Sequence, residues 1–179
     1  MDPVERCLDI ARRGHFKVVL PEGDDIRVLA AARSLIDREI AQPIVLGAPD
    51  VLTKSAVATG IDLHGIEIID PRSDARTQAY GVTCASRREN MSLGMGIRLA
   101  AKPLYFAGMM VRQGEAQAMV AGAANPTRRV IEAAIVELVA VADLKATLFV
   151  VAKRPRRETI GVLGLTHSDA RKLAQRVPA

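Results

Sequence analysis

Tryptophan is absent from this chain of 179 residues, and three phenylalanines and two tyrosines are its whole aromatic content. Its length is enough for one domain, whose core must be built from Ala, Val, Leu, Ile and Met. So few rings also argue against a platform on which single-stranded nucleic acid stacks its bases. The two cysteines, Cys7 and Cys84, lack metal-ligand spacing. They read as buried, inert thiols rather than a disulfide or a nucleophile. No apolar run approaches the roughly 18–20 residues of a membrane span. The opening Met1-Asp2-Pro3-Val4-Glu5-Arg6 has no basic segment leading into an apolar one. A cytoplasmic protein with no membrane partner is expected.

The formal net charge is +5, but its location matters more than its size. From Val151 onward there are seven basic residues against two acidic ones, so the first 150 residues are neutral. The basic character belongs to the tail, and a nucleic-acid partner for the whole chain is not expected.

The chain is otherwise rich in alternating strand and helix signals. Val18-Val19-Leu20-Pro21-Glu22-Gly23-Asp24-Asp25-Ile26-Arg27-Val28-Leu29 packs an apolar run, a tight turn, two acids and a helical pattern into twelve residues. That is a strand, a loop and a helix start, with Asp24 or Asp25 as cap. Ligands in open α/β sheets gather at such carboxyl ends of strands. The first strand is expected over Lys17–Leu20, and further strands near 43–47, 66–69, 117–121, 146–151 and 159–165. Helices are expected over 3–13, 50–59, 73–89, 92–101 and 103–113, after Asn125-Pro126-Thr127, and from Ser168. Apolar Val28, Leu29, Ala32, Leu35 and Ile36 share one helix face. The pattern predicts an α/β fold: a mostly parallel open sheet with helices on both faces, an α/β/α sandwich.

Gly94-Met95-Gly96 is not a dinucleotide fingerprint, because the third glycine is missing and no strand precedes it. No P-loop or zincin motif is present, and no metal is expected. His15, His64 and His167 are isolated, and Met91, Met95, Met109, Met110 and Met119 read as core filler. The better candidate is Ala121-Gly122-Ala123-Ala124-Asn125-Pro126-Thr127-Arg128-Arg129. Small residues leave a strand there, and a helix N-terminus follows with a hydroxyl and two guanidiniums, which suits an anion. Arg87-Arg88, near a helix end, is the second candidate, although cations also suit a helix C-terminus for structural reasons alone.

Taken together, the order of segments resembles the phosphate acetyltransferase/phosphate butyryltransferase family. The matching pieces are residues 19–29, Ile40-Ala41-Gln42-Pro43-Ile44-Val45-Leu46-Gly47, Ile69-Asp70-Pro71, residues 103–111, and Gly114-Glu115-Ala116-Gln117-Ala118-Met119-Val120-Ala121-Gly122-Ala123. They cover about residues 3–134. The resemblance implies reversible acyl transfer, most simply of acetyl, between coenzyme A and phosphate. Acetyl-CoA, CoA and phosphate would be substrates, with no cofactor and no metal, in a protein that forms a homodimer. In the family a carboxylate takes the thiol proton and arginines hold phosphate, so the chemistry is orientation plus electrostatics.

Carried over by position, Arg87 resembles the family's phosphate-side arginine. Gly122 and Thr127 fall in its Ala-Gly-Ala turn and the hydroxyl beyond it. The family's second arginine falls at Glu132, a charge reversal that would repel phosphate, with Arg128 or Arg129 in the adjacent turn to offset it. The aspartate of the family's Gly-(Asp/Glu)-Ala-Asp motif is Gln117. Arg87, Gly122, Thr127, Arg128 and Arg129 are therefore the expected substrate-binding set, and no catalytic residue is assigned. Glu22, Asp24 and Asp25 would repel phosphate and are expected to work in capping and loop structure.

The resemblance fades beyond about Ile135, and nothing in the chain resembles the family's Lys-Gly-Ser loop and catalytic carboxylate. Residues 1–145 are read as the family-like α/β domain and 146–179 as a divergent basic tail. A frameshifted or truncated gene is the favoured origin of that tail. A half-length homologue with a partner chain and a divergent domain edge are the other two. Impaired acyl transfer is expected of the isolated chain, with a non-catalytic ligand-binding or subunit remnant of the family as the alternative.

Overall fold

A computed structural model describes residues 2–134, 148–152 and 161–165. The elements in chain order are α1 (Pro3–Gly14), β1 (Lys17–Leu20), α2 (Ile26–Asp37), β2 (Gln42–Leu46), α3 (Pro49–Thr59) and β3 (Glu67–Ile69). Then come α4 (Arg76–Ser86), α5 (Leu93–Ala100), α6 (Pro103–Arg112), β4 (Ala118–Met119), α7 (Thr127–Ala134), β5 (Leu148–Ala152) and β6 (Gly161–Leu165). The first four strands form one parallel sheet in the order β3-β2-β1-β4, while β5 and β6 form an antiparallel pair.

Alternation along the strands divides the apolar residues between two cores. Val19, Ile44, Leu46 and Ile69 face one side, where Tyr80 and Cys84 of α4, Ala100 of α5 and Phe106, Met109 and Met110 of α6 cover them. Leu20 and Val45 face the other, under Val28, Leu29 and Ala32 of α2 and Leu52 of α3. The expected α/β sandwich is therefore present. Leu35 and Ile36 are only half-buried at the rim of the second core.

Strand order fixes where a ligand crevice belongs. The chain runs outward from β1 to β2 and β3, then crosses back through α4, α5 and α6 to place β4 on the far side of β1. Val18 pairs with Ala118 and Val19 with Met119 in parallel register. The order reverses between β1 and β4, and in open α/β sheets the crevice forms beyond the carboxyl ends of the strands at that point. Gln117 works at the opposite end. Its Oε1 accepts the Lys17 N–H at 2.8 Å, and its own N–H donates to the Lys17 carbonyl at 2.9 Å.

Several expectations need correction. The helix expected over 73–89 is α4, Arg76–Ser86. Its start is delayed because the Ser73 and Asp74 N–H groups turn back to the Asp70 carbonyl, while the Asp74 carboxylate takes the Arg76 N–H at 2.9 Å. It ends at Ser86 with Arg87 as C-cap, and the chain then turns through Asn90 at a φ of 66°. The strand expected over 117–121 shrinks to Ala118–Met119. The Val120 N–H still reaches the Val19 carbonyl at 3.1 Å, but Gly122, at φ 113°, turns the chain toward the β1 loop. Cys7 is exposed rather than buried, and Met95 is exposed on α5 rather than core filler. His167, Ser168 and the run 153–157 lie outside the described residues.

A polar tie sits against the first core. The Tyr80 hydroxyl donates to Glu115 Oε1 at 2.6 Å, Arg76 Nη1 donates to Glu115 Oε2 at 2.7 Å, and Arg76 Nη2 donates to Asp74 Oδ2 at 2.8 Å. The Arg76 guanidinium lies 5.5 Å from the centre of the Phe106 ring, which in turn packs on Tyr80. Burial first, and then the Glu115 hydrogen bond, raise the Tyr80 phenol above its usual range and keep it protonated. Glu115→Ala strands both donors and is expected to cost about 2–3 kcal/mol, against about 1 kcal/mol for Tyr80→Phe. Urea denaturation of the two variants checks the order.

Candidate functional site

The loop after β1 is shaped by Gly23. A Cβ there would stand 2.6 Å from the Leu46 carbonyl oxygen and 2.6 Å from Val45 Cγ1, so only glycine lets the loop press onto β2. The Gly23 N–H donates to the Leu46 carbonyl at 3.2 Å. Its neighbour Glu22 is thereby turned inward and is only 6% exposed.

Glu22 reaches the turn that leaves β4. Its Oε2 accepts the Gly122 and Ala123 N–H groups, both at 2.7 Å. Its Oε1 accepts the N–H groups of Ala124 at 3.1 Å and Asn125 at 2.7 Å, and the Asn125 amide at 2.8 Å. Four successive main-chain donors converge on one carboxylate, the geometry by which proteins cradle anions. Burial pushes the Glu22 carboxyl up. The Asn125 amide and the N–H groups of Ala123, Asn125 and Gly122 outweigh it and hold the group below the ordinary carboxylate range.

A second strap comes from the same loop. Asp25 caps α2, its Oδ1 accepting the Arg27 N–H at 2.9 Å. The Arg27 guanidinium grips that carboxylate, with Nη2 to Oδ2 at 2.6 Å, and Nη2 also donates to the Ala123 carbonyl at 2.6 Å. The Arg27 side chain and N–H hold the Asp25 carboxyl down at about 2. Glu22 thus takes the turn's N–H groups while Arg27 takes one of its carbonyls. The spacing Glu22-Gly23-Asp24-Asp25-Ile26-Arg27 is that of a clamp.

Beside the clamped turn lies an open cleft of about 510 Å³. Residues 102–105 at the start of α6 form one wall, Arg129 and Glu132 of α7 form another, and Asn125 joins them from the turn. Pro103 stands in the first turn of α6, and Lys102 at its N-cap makes no side-chain cap. The positive end of α6 and the Lys102 and Arg129 side chains therefore favour an anion in this cleft, against the single negative charge of Glu132.

The sequence candidates fall in different places. Arg129 lines the cleft, whereas Arg128 is exposed on α7 and is not among the lining residues. Gly122 lies in the clamped turn with its N–H held by Glu22. Thr127 opens α7. Arg87 is the C-cap of α4, half-buried, with its Nη1 away from solvent, and is not among the cleft residues. Glu22 and Asp25 do serve the loop, as expected of them. Lys102 and Tyr105 lie outside the candidate segments, and Asn125 lies inside the 121–129 segment without being assigned a role of its own. Lys102 had a readable signal, a cation immediately before a helix-opening proline.

The fold and cleft define a parallel α/β protein with an anion-favouring crevice beside its strand crossover. The chain belongs to the phosphate acetyl/butaryl transferase family, whose model matches residues 3–164. The phosphate acetyltransferase of Corynebacterium glutamicum is 34% identical over 155 residues, covering 84% of this chain and 47% of that protein. The phosphate acetyltransferase of Acetivibrio thermocellus is 34% identical over 139 residues, covering 75% of this chain and 41% of that one. Among solved structures, the EutD phosphotransacetylase from Staphylococcus aureus matches with a TM-score of 0.69 at 28% identity, over 80% of this chain and 45% of that one. A phosphotransacetylase from Streptococcus pyogenes matches with a TM-score of 0.70 at 25% identity, over 75% and 41%. The chain spans about half or less of the length of these relatives.

Proposed function

We propose that this chain holds the phosphate end of a phosphate acetyltransferase reaction, in the cleft between the first turns of α6 and α7. The observation that carries the reading is the convergence of Lys102, Arg129 and the uncapped α6 N-terminus on one open cleft beside the strand crossover. The names of the relatives supply the reaction. In it the thiolate of CoA attacks the carbonyl of acetyl phosphate, the carbonyl–oxygen bond to phosphate breaks, and acetyl-CoA and phosphate result. In reverse, a phosphate oxygen attacks the thioester carbonyl, the carbon–sulfur bond breaks, and acetyl phosphate and the CoA thiolate result. Fixed cations at the phosphate stabilise the charge it gathers as it leaves. CoA takes part as a substrate, and no cofactor is invoked. Cytoplasmic location and a homodimer belong to the same reading and rest on the family resemblance alone.

Calorimetric titration with phosphate and with acetyl phosphate tests it. Saturable, mutually competitive uptake supports the reading, and a folded chain that takes up neither overturns it. Formation of acetyl-CoA from acetyl phosphate and CoA reports the full reaction.

Glu132 gives a sharper expectation. It lines the same cleft as Arg129, three residues on along α7, and opposes an anion there. Glu132→Gln removes that repulsion and is expected to tighten phosphate binding by about three- to tenfold at low salt, shrinking as salt is added. Unchanged affinity at low salt would place the anion elsewhere.

A further inference from the structure

We infer that the 122–125 turn is an anion cup kept permanently filled by Glu22, and that Glu22 and Arg27 are positioning residues that set the phosphate affinity of the neighbouring cleft. The inference rests on the proposed function. It extends it by naming what holds the cleft in shape.

The cup lies just past the carboxyl ends of β1 and β4, where a parallel sheet offers its crevice. Its four main-chain donors and one side-chain amide are all committed to Glu22, at 2.7–3.1 Å. A phosphate in this protein therefore does not compete for them. It is met by the side chains next door. Two of those, Asn125 and Arg129, stand in the turn and on the helix that the turn launches. Asn125 belongs to both sets: its amide holds Glu22 and its side of the turn lines the cleft. Arg27 fixes the opposite side of the turn through the Ala123 carbonyl at 2.6 Å, and is itself held by Asp25. Among the described residues the segment has no other tie of this density to the sheet, so the direction in which α7 leaves depends on a carboxylate a hundred residues earlier in the chain.

Phosphate titration of the full chain tests this, with wild type, Glu22→Ala, Glu22→Asp and Arg27→Ala compared. Alanine keeps the Glu22 Cβ, so the space it opens is that of one acetate ion. Glu22→Ala is expected to weaken phosphate binding by about tenfold or more, as displacement of a positioned group by an ångström does. Acetate at millimolar level is expected to restore most of the affinity, whereas in wild type it only competes weakly. Glu22→Asp is expected to fall between the two. Arg27→Ala changes an exposed side chain and is expected to weaken phosphate by about threefold. It decides the matter if Glu22→Ala does not fold, because unchanged affinity there overturns the inference.

Glu22→Ala that folds and binds phosphate as wild type does, or binds more tightly, also overturns it. Tighter binding means that the cup itself is the phosphate seat and Glu22 its occluder. Weakening without recovery in acetate denies the filled-cup role. A wild-type chain that takes up no phosphate overturns the proposed function, which is a different failure from wild-type binding indifferent to Glu22.

Discussion

Glu22→Gln is expected to lower the stability of the chain by on the order of 3 kcal/mol, about 10 °C in melting temperature. A glutamine is nearly the same size, so the loss is not one of packing. The cup presents only donors, and the new amide would turn its own NH₂ toward them. At least two N–H groups of the turn lose their acceptor, and the remaining bonds lose the help of a full negative charge. The pH dependence identifies the cause. The Glu22 carboxyl is held below its ordinary value of 4.5 in the folded chain. Its contribution is thus fully present above that value and disappears as pH falls through the lower folded one. The stability gap between wild type and Glu22→Gln is expected to be constant near neutrality and to close in acid. Thermal melts at a series of pH values measure it, and a gap that persists in acid would mean that the amide disturbs packing.

Gly96→Ala is expected to destabilise by about 2–3 kcal/mol, while Gly94→Ala two residues away is expected to stabilise by a few tenths to about 1 kcal/mol. Both glycines lie in α5, where helix propensity alone favours alanine by up to about 1 kcal/mol. At Gly94 nothing stands within 4 Å of the added Cβ. At Gly96 the Cβ meets the Gly81 carbonyl oxygen and stands 3.0 Å from Ala85 Cβ and 3.1 Å from Ala85 N. Two of those three atoms are backbone, so α4 and α5 must separate. Gly81 is the matching half of the contact, its Cβ falling 2.6 Å from Ile97 Cα. Urea denaturation of the two variants, read as opposite signs, separates propensity from packing. A shared sign would show that α4 and α5 do not lie this close in solution.

This pair also explains why Gly94-Met95-Gly96 misleads as a motif. Its glycines resemble a phosphate loop in composition, yet one is an open helix position and the other a close helix crossing. Spacing in sequence carried no record of Gly81, the partner that gives Gly96 its purpose. The sheet was far more legible. Lys17–Leu20 matches its expected bounds, and 43–47 and 66–69 do so within a residue, because short apolar runs ended by Gly or Asp-Pro have few alternatives. β4 was not. Among the described residues it has a single strand neighbour, β1, and the turn at Gly122 rather than propensity decides its length.

The candidate site was half legible. The open backbone at 122–125 was recognisable as an anion-binding turn, and the acids of the opening motif as loop residues. Their meeting was not, since nothing local joins Glu22 to Gly122. Once joined, the two features exclude each other as ligand sites: the turn already has its anion, and the charge of the acid is taken up by the donors of the turn. The neighbouring cleft is therefore the seat proposed for phosphate. There Arg129 and not Arg128 stands at the wall, a choice set by the rotation of α7 that sequence alone left open.

That choice is the most direct test of where phosphate binds. Phosphate affinity should be measured by calorimetry, at one low salt concentration, for wild type, Arg129→Gln and Arg128→Gln. Arg129→Gln is expected to lose about tenfold or more in affinity, and Arg128→Gln less than about threefold, since a charge that contacts the anion contributes far more than one that only adds to the surrounding field. The opposite ranking, or equal loss from both, would contradict the placement of phosphate in the cleft between α6 and α7.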